Sequence, residues 1–289
     1  MSPVEWPPAL LLSYSAVVGL VVGSFLNVVI LRLPRKLYAE QSAVCSGDEG
    51  MLPANRWFGL DFLIHPPSTC PACGTAIKAR DNIPVLGWLL LRGRCRECAT
   101  PISLRYLVVE ATTGLLTLLI VWQFGPEWHT LALCVLVWGL IALTVIDIDE
   151  QLLPDVLTLP LLWLGLLLNM GPFGLADLHD AVLGAVLGYL SLWLVFQVFR
   201  LLTGKEGMGY GDFKLFALLG AWMGWQMLPL ILLLSSLVGA VVGIGLILLR
   251  GRDHQIPMPF GPYLATAGLI ALLWGAQINQ SYLQMAGLA

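Results

Sequence analysis

The sequence predicts an all-α polytopic membrane protein carrying one small polar loop domain, and three observations support that fold class. Charged residues make up only 11% of the 289-residue chain, while hydrophobic residues make up 58%. Soluble domains hold roughly 25% charged residues, so this chain has too few to cover a water-facing surface of its size. Charge-free apolar stretches recur along most of the sequence, and Lys and Arg fall on only one side of their alternation. The mean hydropathy of +0.82 agrees; the net charge of −3 carries less information than the placement of the charges.

A bilayer core needs about 20 apolar residues per helix. The candidates in order are 9–31, 107–124, 130–146, 156–170, 181–199, 213–222, 227–249 and 260–278. The long run 215–249 is broken by Gly224 and Pro229, which mark a turn. About eight transmembrane helices are therefore expected, with the short fourth and sixth open to a re-entrant arrangement. The first stretch has Glu5 and no Lys or Arg before it, so it reads as a span and not as a cleavable signal. Ten of the 15 basic residues lie at 32–105, three at 200–214 and two at 250–252. The connections at 125–129, 171–180 and 224–228 have none. Basic loops mark the cytoplasmic side, which places both termini outside it.

The expected organisation is a first transmembrane helix at 1–32, a cytoplasmic four-cysteine zinc domain at 33–105, and a membrane core of about seven helices at 106–289. The middle segment contains Cys70-Pro71-Ala72-Cys73 and Cys95-Arg96-Glu97-Cys98, with 21 residues between the two pairs. Four thiolates from Cys70, Cys73, Cys95 and Cys98 close a tetrahedral Zn²⁺ site, and leave no open position for catalysis. Lys78, Arg94 and Arg96 are placed to favour the thiolate form. Two disulfides or a redox pair are the alternative, disfavoured on the reducing side of a membrane. Cys45 and Cys134 have no role in this scheme, and Cys134 reads as a small apolar helix residue.

Two acidic residues stand where a membrane protein least tolerates them. Asp147 closes the third apolar run and Asp212 opens the sixth. Ionisable groups at membrane depth are costly and usually functional. Two carboxylates brought together can share a proton and activate water, the chemistry of aspartic proteases. Asp149 lies about 200° around a helix from Asp147 and reads, with Glu150, as a solvated loop charge. Asp155 follows Pro154 and suits a helix cap. Asp212 follows four glycines in eight residues, 204–211, which permit close approach of another segment. Glu110 is placed either to pair with Arg105 or to steer an amine or methyl donor. Gly19 and Gly23 form a small-xxx-small seam for helix packing. Trp122, Trp128, Trp222 and Trp225 lie near span ends and read as interfacial anchors.

Taken together, the motifs resemble the bacterial type IV prepilin peptidases. They are Gly23-Ser24-Phe25-Leu26-Asn27-Val28, the double Cys-x-x-Cys, and Asp147 eight residues before Asp155 of Leu153-Pro154-Asp155. Gly209-Tyr210-Gly211-Asp212-Phe213-Lys214 and Pro259-Phe260-Gly261-Pro262-Tyr263 complete the set, in family order. The resemblance implies an intramembrane aspartic endopeptidase with Asp147 and Asp212 catalytic, removing basic leaders of type IV prepilins and pseudopilins after Gly. It further implies N-methylation of the new terminus by S-adenosyl-L-methionine. It implies a multi-pass protein of the bacterial inner membrane, with lipid and prepilins as partners and no nucleic acid. Leu153 stands where many members carry Ile. No Gly-x-Gly-x-x-Gly is present, so the methyl-donor residues are not assigned. Peptidase without methyltransferase, or a proton-coupled transporter, are the competing readings.

Overall fold

A computed structural model describes residues 7–46, 61–65, 67–205, 207–250 and 259–285. Arg56 and Arg252 of the charge pattern, and Glu206 of the glycine-rich run, lie outside the described residues. The helices are α1 (Pro8–Ser46), α2 (Asp61–Ile64), α3 (Leu86–Leu90), α4 (Leu104–Phe124) and α5 (Trp128–Glu150). They continue with α6 (Asp155–Asn169), α7 (Leu178–Thr203), α8 (Tyr210–Met223), α9 (Leu228–Arg250) and α10 (Gly261–Met285). Among the described residues there is no strand, only two isolated β-bridges.

Among the described residues, six helices are long and apolar enough to cross a membrane: Ala9–Cys45, Leu104–Phe124, Trp128–Glu150, Leu178–Thr203, Trp225–Gly245 and Gly261–Met285. The other two expected spans are short. With 15 and 14 residues, α6 and α8 extend about 22 and 21 Å at 1.5 Å per residue, against a hydrocarbon core of about 30 Å. Among the described residues the span-length helices number six; of the two short ones, α8 carries Asp212 and α6 follows the helix that carries Asp147. The chain divides into two compact units, Met1–Pro126 and Glu127–Ala289.

In the first unit, α1 packs on α4 through small residues. A Cβ at Gly19 would stand 2.6 Å from Thr117 Oγ1, and one at Gly23 would stand 2.8 Å from Glu110 Cα. Thr113 and Thr117 return their hydroxyls to the Val109 and Thr113 carbonyls, each at 2.7 Å, so this apolar seam holds no unsatisfied hydroxyl. The expected first helix ends at 31, but α1 runs through Pro34 to Ser46. Buried Leu33 and the Lys36–Glu40 pair support the extension. Arg32 Nη1 donates to the Phe62 carbonyl at 3.0 Å, and Lys36 Nζ stands 4.5 Å from the Phe62 ring centre. These contacts dock α2 on the added turns.

In the second unit, α8 is the buried centre, with Phe213, Leu215, Leu218, Leu219, Ala221 and Trp222 fully covered. It packs on α6, α7 and α10. Gly184 of α7 faces Gly220 of α8 so closely that a Cβ on either would overlap the other's backbone. Trp222 is not an interfacial anchor: it is buried against Gly165 and donates its indole N–H to the Leu161 carbonyl at 2.8 Å. Trp122 and Trp128 do project outward. Asn169 donates to the Ala221 and Trp222 carbonyls at 2.8 and 3.1 Å, satisfying the end of α8 where the helix leaves carbonyls unbonded.

Candidate active site and metal centre

Asp147 sits one turn before the end of α5. The helix continues to Glu150 and closes at Gln151, which adopts the left-handed conformation and returns its N–H to the Asp147 carbonyl at 3.0 Å. Asp147 is buried, while Ile148, Asp149 and Glu150 face outward, as the 100° step of the helix requires. Asp212 lies in the first turn of α8 and is also buried; its N–H reaches the Gly209 carbonyl at 3.2 Å.

The third component is the start of α10. Gly261 donates its N–H to Asp147 Oδ2 at 3.0 Å. This N–H belongs to the first turn, has no partner within the helix and carries the positive end of the helix dipole. A Cβ at Gly261 would stand 2.6 Å from Asp147 Oδ2 and 3.3 Å from Leu153 Cδ2. Leu153 also fills the space beside Gly211, where a Cβ would meet its own Cβ at 2.7 Å. One side chain thus spans from the glycine next to Asp212 to the glycine bonded to Asp147. Leu153 thus stands between the segments that carry the two buried carboxylates.

Asp155 departs from expectation. The N-cap of α6 is Pro154 and no side chain caps it. Asp155 stands in the first turn and accepts Lys214 Nζ at 2.7 and 2.8 Å. This pair ties the first turn of α6 to that of α8, two residues beyond Asp212. Half-exposed as it is, it adds little stability, but it fixes register.

The four cysteines converge. Sγ atoms of Cys70, Cys73, Cys95 and Cys98 all lie within 4.8 Å of one another, a cluster able to hold a metal ion. None is in a disulfide. Each pair forms the same turn. Cys70 donates its N–H to the Thr75 carbonyl and receives that of Gly74, each at 2.9 Å; Cys95 repeats this with Thr100 and Ala99 at 2.8 and 3.0 Å. The bridges Thr69 to Ala76 and Arg94 to Pro101 close the two turns.

Two of the neighbouring cations are engaged by carboxylates, Lys78 by Glu97 and Arg96 by Asp81. Arg96 forms a bidentate pair with Asp81, which holds the Asp81 carboxyl below its usual range. The thiols are tuned instead by threonines. Thr100 Oγ1, 3.2 Å from Cys98 Sγ, pulls that thiol down to about 6, aided by its own backbone N–H. Thr75 Oγ1, 3.3 Å from Cys73 Sγ, lowers Cys73 in the same way. The signal was present in the sequence as a repeat, Cys73-Gly74-Thr75 and Cys98-Ala99-Thr100.

Glu110 is buried in α4. Its Oε2 accepts the Val85 N–H at 2.7 Å, and the Ser24 hydroxyl bonds it as well. Neither partner was evident from spacing along the helix, since both come from other segments.

Comparison with known proteins shows the family. Residues 17–124 match the bacterial peptidase A24 N-terminal domain, and residues 134–244 match the type IV leader peptidase family. The first range covers the seam, the cysteines and Glu110; the second covers Asp147 and Asp212. A protein of Pseudomonas aeruginosa is 54% identical over 270 residues, spanning 93% of this chain and 92% of its own. One of Aeromonas hydrophila is 56% identical over 283 residues, spanning 96% and 95%. One of Xanthomonas campestris is 43% identical over 296 residues and spans the whole of both. Each is named a prepilin leader peptidase/N-methyltransferase. The chain belongs to the type IV leader peptidase family. No solved structure matches it. Within this family framework, Gly261 and Leu153 are the supports of the acid pair that sequence reasoning passed over. The glycine of the Pro259–Tyr263 motif supplies the N–H that holds Asp147.

Proposed function

We propose that this chain is an intramembrane aspartic endopeptidase that removes the basic leader of type IV prepilins and pseudopilins, and then methylates the exposed amine. The observation that supports the first step is that both carboxylates are buried, Asp147 bonded by the start of α10 and Asp212 next to the glycine on which Leu153 packs. Two carboxylates so placed hold one proton between them. The ionised member takes a proton from water as the water oxygen bonds to the scissile carbonyl carbon. The protonated member donates its hydrogen to the carbonyl oxygen, which gains the electron pair. Collapse restores the carbonyl, breaks the C–N bond and sends a proton to the leaving amine. Gly261 N–H fixes the rotamer of Asp147 throughout, so it is a positioning group.

The four thiols fit zinc. A tetrahedral Zn²⁺ with bonds of about 2.3 Å sets its sulfurs about 3.8 Å apart, and Cys70 Sγ and Cys98 Sγ stand 3.7 Å apart. Cys70, Cys73, Cys95 and Cys98 would close the coordination of such a metal, which would then staple the loop and leave no open position for hydrolysis. S-adenosylmethionine, when bound, would supply the methyl group that the newly exposed amine takes up.

The one-sided basic residues support a cytoplasmic cysteine loop and acid pair, with both termini periplasmic, in the bacterial inner membrane. Exposed Asp149 and Glu150, beside the acid pair, suit a basic leader. The test is to incubate the purified protein with a prepilin and S-adenosylmethionine and to read cleavage and methylation separately by mass spectrometry. Both the shortened chain and its form one CH₂ heavier are expected. Shortening without the added CH₂ leaves a peptidase alone, and no shortening ends the proposal.

A further inference from the structure

Glycines border both carboxylates. Gly261 donates its N–H to Asp147 Oδ2 at 3.0 Å. Gly211 is the residue before Asp212, and a Cβ on Gly209 would stand 3.8 Å from Asp212 Oδ2. These positions carry no side chain, so a peptide backbone can come close to the acids there. Gly209 is exposed and Gly211 half-exposed, which puts the open approach on that edge.

The side chain of Leu153 enters this glycine-lined space. Leu153 lies in the connection between α5 and α6, next to the N-cap Pro154, and is buried. Its two methyl groups face different glycines. A Cβ at Gly211 would stand 3.2 Å from Cδ1, and one at Gly261 would stand 3.3 Å from Cδ2. Both distances are shorter than the optimal carbon–carbon separation of about 3.5–4.0 Å, so neither side leaves room for a methyl group. The connection cannot easily swing away: the ring of Pro154 fixes its φ near −65° on one side, and left-handed Gln151 closes α5 on the other.

We propose that Leu153 sets the size of the substrate residue that precedes the cut, admitting glycine and excluding even a methyl side chain. This rests on the peptidase half of the proposed function, with the cut after Gly that the family resemblance implies. The scissile carbonyl carbon must come within about 3–3.5 Å of the attacking water oxygen. The α-carbon bonded to it is then carried against the two methyl groups of Leu153. A hydrogen on that α-carbon clears them, and a methyl does not. Leu153 touches no reacting atom; it acts through shape on which chain can reach the acids.

The experiment gives the full-length protein in detergent two substrates at once: a prepilin, and the same prepilin with alanine replacing the glycine before the cut. Mass spectrometry reads both products, and the ratio of the two kcat/KM values does not depend on how much of the enzyme is folded. Wild type is expected to favour glycine by about a hundredfold or more. Leu153→Ala removes both methyl groups and is expected to lower that ratio by about tenfold or more. Leu153→Val, a smaller truncation, is expected to fall between the two. Leu153→Ile keeps the side-chain volume and is expected to stay within about threefold of wild type. A residue that only propped the acids would slow both substrates alike, so an unchanged ratio in Leu153→Ala and Leu153→Val overturns the proposal. Loss of both cleavages in both variants overturns it as well. Wild type that cuts the two prepilins equally removes the size limit and leaves the peptidase standing. Wild type that cuts neither ends the peptidase reading itself.

Discussion

The acid pair and the thiol cluster bring reactive groups together by opposite means. Asp147 and Asp212 are positioned by core packing: α8 is buried along its length, Gly184 and Gly220 meet backbone to backbone, and Leu153 fills the space between two glycines. The cysteines sit on two short turns with little apolar cover, and three of the four are exposed or part-exposed. Side chains in a packed core stay where they are without a ligand, whereas a small loop with little core depends on a metal or a disulfide. The difference predicts that each site fails in its own way.

The sharpest break is at the carboxylates. Asp147→Asn and Asp212→Asn should each lower prepilin cleavage by about three orders of magnitude or more, since neither amide can act as the base or supply the acidic proton. Circular dichroism and melting temperature should stay close to wild type. Substantial cleavage by either variant would remove that residue from the mechanism.

Next in size is metal removal. Elemental analysis should find about one Zn per chain if the four thiolates close one site. Chelation should then make all four cysteines rapidly alkylated and the 67–103 segment sensitive to protease, because metal binding and loop folding are one equilibrium. The second unit should keep its helicity and its buried Trp222. Native protein with no metal and four freely alkylated thiols would show that the turns stand by themselves.

A subtler break separates support from chemistry. Gly261→Ala places a methyl 2.6 Å from Asp147 Oδ2 and against Leu153, so the carboxylate must move. Displacement by about 1 Å can cost about a hundredfold in rate. Cleavage should fall accordingly while methylation of a peptide supplied already cut is unchanged. Equal loss of both activities would mean that the variant had damaged the whole protein.

The sequence made the fold class legible because lipid exposure is written in composition, and charge-free runs marked every long helix. It also marked both acids and all four cysteines, since these residue types are rare in apolar or loop contexts and stand in fixed motifs. Three features were hidden for a common reason. The Gly261–Asp147 bond joins residues 114 apart in sequence, Leu153 bridges two glycines, and Glu110 takes its partners from α1 and the loop. No local period or spacing encodes such contacts. The extension of α1 past Pro34 was missed because charge was read as the end of the helix, although charge only ends the part that can lie in hydrocarbon. Trp222 was misread because a Trp near a span end has two good fates, interface or core, and Gly165 on another helix decides between them.

The smallest predicted effect probes the turns themselves. Gly74 and Ala99 occupy equivalent positions, four residues after the first cysteine of each pair, with φ of +69° and +56°. Glycine adopts this conformation freely, and a side chain there costs about 1 kcal/mol. The second turn therefore holds strain that the first does not. Ala99→Gly should relieve it and stabilise the metal-bound loop by up to about 1 kcal/mol, offset in part by the freedom that glycine adds to the unfolded chain. Gly74→Ala should destabilise by a similar amount, although a Cβ there meets nothing within 4 Å. Protease resistance of the loop in graded chelator reads both changes. Opposite signs for the two substitutions identify backbone conformation as the cause, because neither adds or removes a side-chain contact at the metal.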